Sequence, residues 1–395
     1  MFYRTSAVEY LFRGNETMKM RTLFILALLL PSIAASSADN WQRDKRSLLT
    51  NFNNMYNPCV VETGGDYRYK MWFFGWAVES TNPGIPGCDA IFHARSKDLQ
   101  SWEVYSKGDT WDATMSPSRW APVLQASDRW YESWHVGDPS VVLRDGQYYM
   151  AYSATSTHFA KVAGYPATMV QCLMGAVSED GIHWQKTAEP LMIRHGDTAD
   201  PTPEPDRIGD FHRPSLRWDE GKWRLWFDYQ QPGIGGCVGY AENRGDFMKS
   251  GGFKIQHDLR KPLMVRWPNP EVIRIGKIYH CFSDPPGYPI MQGESGWKSR
   301  QLREAVSVDG MSWKKLNYIT PDEDADACHV PQALVTTIDG KQWLYLFYAT
   351  QIGHKKNDGE YHYEYDRIRA MRRAIVASEH GAQEDAANRA PSINR

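Results

Sequence analysis

Five prolines, at positions 58, 139, 214, 270 and 331, each open a short apolar run, and the residues beside them are the ones whose types could do chemistry. They are Asn57; His135 and Asp138; Asp210, His212 and Arg213; Asn269 and Glu271; and Asp326, Cys328 and His329. Carboxyl and imidazole groups exchange protons near neutral pH, so a set of them gathered in one place can act as general acid and base. Scattered along a chain they would mean little; at equivalent positions of a repeat they mean more. Each has a plainer use as well. Asp138 before its proline can cap the turn into a strand. Asp210 ends an acidic, proline-rich loop (197 to 210) that can simply be solvated. Arg213 can orient a carboxylate, bind an anionic substrate or form a structural pair, and His329 can line a cavity and hold a water or an ion. Glu271 is harder to excuse, since a carboxylate on a strand must find partners or stay hydrated.

The elements that must carry these residues form an internal repeat. After each proline strand comes a turn, Asp145-Gly146, Glu220-Gly221 or Asp339-Gly340 in three copies, and then an aromatic strand: 69–76, 148–153, 223–229, 278–283 and 343–350. Period-2 alternation around such turns predicts hairpins. A third strand leads to a shared signature, Ser96-Lys97-Asp98 before Trp102, Ser178-Glu179-Asp180-Gly181 before Trp184 and Ser307-Val308-Asp309-Gly310 before Trp313; the third copy is degenerate at Ala241-Glu242-Asn243. The Trp begins a fourth, outer strand and packs between neighbours. The prolines are 81, 75, 56 and 61 residues apart, too irregular for a solenoid but suited to radial repetition with loop insertions. The fold class expected is all-β, a five-bladed β-propeller of four-stranded antiparallel blades over residues 57–378. The inner strands of such a fold start around a central funnel, so the residues beside the five prolines converge there. Residues 39–56 read as a partly helical N-terminal segment, with 41–55 the helical stretch, and 379–395 as a disordered tail.

Composition bounds the partners. A net charge of −2 argues against a general polyanion binder, which needs a net basic surface or a concentrated basic stripe, so no nucleic-acid partner is expected. It holds 13% aromatic residues, including 16 Trp and 21 Tyr, more rings than a core needs, and stacking against sugar rings is one use for the surplus. The insertion before the second proline carries Trp111, Trp120, Trp130, Tyr131 and Trp134 ahead of His135, and is read as a sugar-stacking wall with Trp130, Trp134 and His135 in contact with substrate. Residues 233–236 and 285–289 supply further rim loops. At the N-terminus Lys19 and Arg21 precede the apolar run Leu23 to Leu30 and the small residues Ala34 to Ala38. This pattern reads as a secretory signal over 18–38 with cleavage expected after Ala38, and residues 1–17 read as an over-extended start. The run is too short for a comfortable membrane span, so the expected location is secreted or periplasmic with no membrane association. The six cysteines match no zinc spacing; disulfides and buried free thiols are both open.

The strand opening Asp138-Pro139-Ser140-Val141, the aromatic strand after it and the Ser-x-Asp-Gly-x-x-Trp signature resemble the five-bladed glycoside hydrolases of the arabinanase/xylosidase, invertase, neoagarooligosaccharide-hydrolase and mannoside-phosphorylase families (families 43, 32, 117 and 130). The resemblance covers roughly residues 57–375 and assigns no single family. It implies a carbohydrate substrate and three acidic residues on inner strands: a base or nucleophile, a tuner of pKa and orientation, and a general acid for the leaving oxygen. Asp138, Asp210 and Glu271 are the matching candidates, and His212 or His329 could replace the acid, as a His does in the neoagarooligosaccharide group. Asn57 and Arg213 would bind substrate. Relatives keep an acid on the first blade, where this chain has Asn57, so either the roles have moved one blade along or the activity is altered. The function implied is a secreted, exo-acting glycosidase that needs no cofactor; the alternatives are a non-catalytic carbohydrate-binding propeller and a mannoside-phosphorylase-like transferase. A structural Ca²⁺ on the axis and the oligomeric state are left open.

Overall fold

The computed structural model describes residues 40–52, 54–76, 89–156, 170–194, 210–231, 234–285, 301–319, 327–351 and 367–376. Their strands form five antiparallel sheets, the five blades of a propeller. Blade one runs outward through Tyr56–Glu62, Tyr69–Trp76, Asp89–Ser96 and Trp102–Ser106, and blade two through His135–Arg144, Gln147–Thr155, Gln171–Ser178 and Gln185–Lys186. Blade three is Phe211–Asp219, Lys222–Gln231, Gly235–Asn243 and Lys254–Ile255, and blade four Glu271–Ile275, Ile278–Ser283, Arg303–Ser307 and Lys314–Tyr318. Blade five has Ala327–Ile338, Lys341–Gln351 and Arg367–Ala374. The signal segment, the residues after 376, Cys88 and Asp326 lie outside the described residues.

The segment 41–55 departs from its sequence reading. It is not helical: Gln42–Arg43 and Leu49–Thr50 both pair antiparallel with Arg367–Ala374. The cause is tertiary. Among the described residues blade five has no fourth strand from its own stretch of sequence, and the edge of Arg367–Ala374 pairs its backbone groups with the N-terminal chain. Trp41, just before Gln42–Arg43, is buried with its ring edge-on to Phe282 of blade four at 6.2 Å.

Around the axis the inner strands are held by one device used five times. Each inner strand is an edge strand, so its proline, which has no N–H, does not break a ladder. The next free donor along that edge, two residues after the proline, is taken by the side chain one residue after the preceding blade's proline. Val141 N donates to Cys59 Sγ (3.1 Å), Leu216 N to Ser140 Oγ (2.8 Å) and Val272 N to Ser215 Oγ (2.9 Å). Ala333 N donates to Glu271 Oε1 (3.2 Å) and Val60 N to Gln332 Oε1 (2.9 Å), which closes the circle.

Farther out, the shared signature explains itself. Ser178 Oγ and Ser307 Oγ accept from the N–H of Gly181 and Gly310 (2.9 Å each), and Asp180 and Asp309 cap the two N–H groups that follow. The glycine carbonyls each receive two indoles. Gly181 takes Trp184 of its own blade and Trp72 of blade one (3.1 and 2.9 Å); Gly310 takes Trp313 and Trp226 of blade three (3.1 and 2.8 Å). Both glycines have positive φ, +85° and +75°, and a Cβ on them would lie 2.7 and 2.9 Å from the neighbouring blade's indole. All five described cysteines are free thiols, buried in this core.

Gly181→Ala should therefore cost about 2–4 kcal/mol, combining the left-handed φ with an overpacked contact. Gly221→Ala, where φ is +73° but no atom lies within 4 Å of the added carbon, should cost about 1–2 kcal/mol. Equal losses in urea denaturation would show that the indole contact is not what demands glycine.

Candidate functional site

Each residue before an inner-strand proline is in the left-handed region: Asn57 (φ 48°), Asp138 (49°), Arg213 (48°), Asn269 (53°) and Val330 (44°). Asn and Asp tolerate that conformation; Arg and Val do so at a cost of about 1–2 kcal/mol. The result is a bulge, visible as a register shift in the hairpins of blades one, two, three and five. It sets the residues beside the prolines, Asn57, Arg213, Asn269 and Val330 among them, around an axial cavity with room for about one water. Backbone strain repeated at one ring of positions marks a place to look for function.

At the funnel floor the charged groups of successive blades interlock. His212 Nε2 lies 3.1 Å from Asp138 Oδ2, and His212 Nδ1 lies 3.8 Å from Asp228 Oδ1. Arg213 Nε is 3.6 Å from Asp138 Oδ1, and its guanidinium also bonds the Asn269 side chain. Asn269 N donates to Asp228 Oδ2 at 3.0 Å, and Asn269 Nδ2 donates to Asp284. His329 Nε2 stands 3.2 Å from Asp284 Oδ2. On the other side of Asp138, His135 Nδ1 pairs with Asp89 Oδ2 at 2.5 Å. Asp138, Asp228 and Asp284 are buried, whereas His212, His135 and Arg213 are part-exposed.

Environment separates the two carboxyls that flank His212. Burial acts to raise Asp138, yet the charges of His212 and Arg213 and bonds from His212 and Ser153 bring it below its ordinary value. At Asp228 burial prevails over the pull of His212 and Arg213 and holds the carboxyl above its ordinary value. Asp89 is likewise raised by burial, against the pull of His135.

The remaining sequence candidates stand outside this charged cluster. Glu271 is a member of the axial ring: beside Ala333 N, it bonds Ser215 Oγ (2.9 Å) and Arg217. Asp210 Oδ2 accepts from Gln171 N at 2.9 Å, tying blade three to the third strand of blade two. Asn57 is at the floor, its amide donating to the Pro139 carbonyl at 3.1 Å. Trp130 is 39% exposed on a 3-10 turn anchored by the fully buried Glu132, which bonds Ser127 (2.5 Å), Tyr152 (3.0 Å) and Lys186 (3.1 Å). Trp134 meets His135 edge-on at 5.1 Å. A Ca²⁺ on the axis is not what this lining fits, since the cavity presents Arg213 and a Glu271 carboxylate engaged with Arg217. Among the described residues no three His, Cys, Asp or Glu gather as a metal site.

Sequence reasoning overlooked Asp228, Asp284 and Asp89. The first two occupy one repeat position, two residues beyond the residue that faces the proline-plus-one side chain (Trp226 facing Ser215, Phe282 facing Glu271). An acid in an otherwise buried strand end, Trp226-Phe227-Asp228 or Phe282-Ser283-Asp284, was the available signal.

No family model and no curated protein matches the chain. Solved structures do. An alpha-L-arabinofuranosidase from Lactobacillus brevis aligns with 83% of this chain and 93% of its own at 11% identity and a TM-score of 0.52. A family 117 glycoside hydrolase of the marine bacterium Zobellia galactanivorans aligns with 84% of this chain and 89% of its own, at 14% identity and 0.52. The family 32 beta-fructofuranosidase of Bombyx mori aligns with 83% of this chain at 13% identity and 0.52, and this chain spans 61% of that one. These likenesses show the fold, the five-bladed propeller of glycoside hydrolases.

The opposite pKa directions give opposite stability effects. A depressed carboxyl stabilises the fold above the ordinary value near 3.8 and loses that contribution as pH falls through its folded value; a raised one destabilises the fold once pH exceeds the ordinary value. At pH 7, Asp228→Asn is expected to raise the melting temperature and Asp138→Asn to lower it. Shifts of the same sign would contradict the electrostatics described here.

Proposed function

We propose that the funnel floor hydrolyses glycosidic bonds by acid–base catalysis, with Asp228 as the general acid and Asp138 as the ionised carboxylate beside the oxocarbenium-like transition state. One observation carries this reading: two buried carboxyls from adjacent blades flank one imidazole, and their surroundings push them in opposite directions. Such a pair divides the two roles that glycoside cleavage needs. His212 holds both carboxyls in register, and Arg213 keeps Asp138 charged. In this assignment Glu271 belongs to the ring that closes the propeller, and the acid role lies one element farther from the axis than the sequence implied. The neighbours' printed activities, an arabinofuranosidase and a fructofuranosidase among them, support a carbohydrate substrate. Secretion follows from the N-terminal signal reading, and exo action from the narrow floor.

Asn57 in place of a first-blade acid favours a second reading, a propeller that binds glycans without cleaving them. A panel of oligosaccharides assayed by reducing-end release and by calorimetry separates the two. Asp138→Asn and Asp228→Asn should each lower kcat by about 10²–10⁴, with the fold retained. Glu271→Gln, which keeps an oxygen to accept from Ala333 N, should keep most of its activity per folded molecule. The rate should also decline as pH rises through the elevated value of Asp228, and Asp228→Asn should remove that limb. Undiminished hydrolysis in both Asp variants would sink the assignment; binding by the wild type without cleavage would select the second reading.

A further inference from the structure

Asn269 stands where two charges of the floor would otherwise meet. Its side chain accepts from the Arg213 guanidinium of blade three and donates through Nδ2 to Asp284 of its own blade. A guanidinium only donates and an ionised carboxylate only accepts, so the amide has a single orientation between them. The backbone of Asn269 serves separately, its N–H donating to Asp228 Oδ2 at 3.0 Å. The residue is buried and holds a φ of 53°. Asn57, at the same repeat position in blade one, spends its amide on the Pro139 carbonyl instead.

Arg213 lies between two claims. On one side Asp138 Oδ1 of blade two is 3.6 Å from its Nε, and the guanidinium also bonds the Tyr56 hydroxyl of blade one. On the other side is Asp284, fully buried, with its Oδ2 3.2 Å from His329 Nε2 of blade five. Burial acts to lower Arg213, yet the charges of Asp138, Asp228, Tyr56 and Asp284 hold it above its ordinary value, so Asp284 lies within its field. A long guanidinium facing two buried carboxylates is drawn to the one that lacks a donor, because an uncompensated buried charge is the costlier state. The Asn269 amide gives Asp284 its donor and holds one arm of Arg213, while Nε of the same guanidinium faces Asp138.

We propose that Asn269 is a positioning residue that reserves the charge of Arg213 for Asp138, by standing as a neutral donor and acceptor between Arg213 and Asp284. The inference rests on the reading of Asp138 as the ionised carboxylate, not on cleavage, so its test follows protons rather than product. Isotope-labelled aspartate is incorporated into the full chain, and the Asp138 carboxyl signal, identified by its loss in Asp138→Asn, is titrated by NMR. Asn269→Gly keeps the left-handed φ and the N–H on Asp228 and removes only the amide. In that variant Asp138 should bind its proton about tenfold more tightly than in the wild type. Adding Asp284→Asn removes the competing charge and should return Asp138 to within about threefold of the wild type. That rescue is a result a merely structural role would not give. If the glycine variant fails to fold, Asn269→Asp, which tolerates the same backbone, takes its place. Its carboxylate claims Arg213 for itself, so Asp138 should again bind its proton about tenfold more tightly, and Asp284→Asn should not rescue it. An unmoved Asp138 in either folded variant, or a shift in the glycine variant that Asp284→Asn leaves in place, would overturn the proposal. The expected titrations in a protein that cleaves no glycan would leave it standing while ending the hydrolase reading.

Discussion

Five inner strands meeting on one axis each bring an unpaired backbone edge into a space from which water is nearly excluded. Leaving a buried N–H without a partner costs about 1–3 kcal/mol, so a five-fold arrangement multiplies the problem. The chain answers it with proline, which removes one donor per blade, and with a side-chain acceptor that reaches across to the next donor. Cys59, Ser140, Ser215, Glu271 and Gln332 differ in chemistry but do this same work. Because the last acceptor returns to Val60, the ring binds blade five to blade one directly. The N-terminal strand then completes blade five from the outside.

The ring also shapes what lies above it. In every blade the residue before the proline lies in the left-handed region, and in blades one, two, three and five a register shift at that point turns the neighbouring side chains toward the funnel. Strain and site share one origin. At the floor so formed, buried carboxyls lean on neighbours within and across blades: Asp138 on His212 and Arg213 of the next blade, Asp228 on Asn269 N of the next, Asp284 on Asn269 of its own blade and His329 of the next. Such networks are rigid because removing one partner leaves another uncompensated in a dry setting. A rigid pair of carboxyls pushed in opposite directions is what the proposed acid–base roles require.

Much of this could be read before any coordinates. The proline anchors, the turns and the Ser-x-Asp-Gly-x-x-Trp signature depend on local chemistry: a Ser and an Asp satisfying nearby N–H groups, a Gly at positive φ, a Trp returning its N–H to the turn. Asp138, His212 and Arg213 were legible because they sit beside a proline, and the repeat brings those positions together. Asp228 and Asp284 were not, since they lie in or just after aromatic strands, where a lone acid resembles any solvent-facing residue. Glu271 was misleading for the converse reason. One residue past its proline it shares the register of two serines, a cysteine and a glutamine, and only the fold reveals that this register points to the neighbouring backbone.

The sequence by itself therefore determined the repeat, the blade count and the ring of residues that meet at the axis, because each follows from contacts within a few residues or from strict recurrence. Tertiary structure alone decided which carboxyls share an imidazole, which is raised and which lowered, and where residues 41–55 belong. Those outcomes depend on burial and on partners from other blades, such as the open edge of Arg367–Ala374 and the His212 wedged between Asp138 and Asp228. Desolvation and cross-blade charge act through space, and nothing in the local order of residues records them.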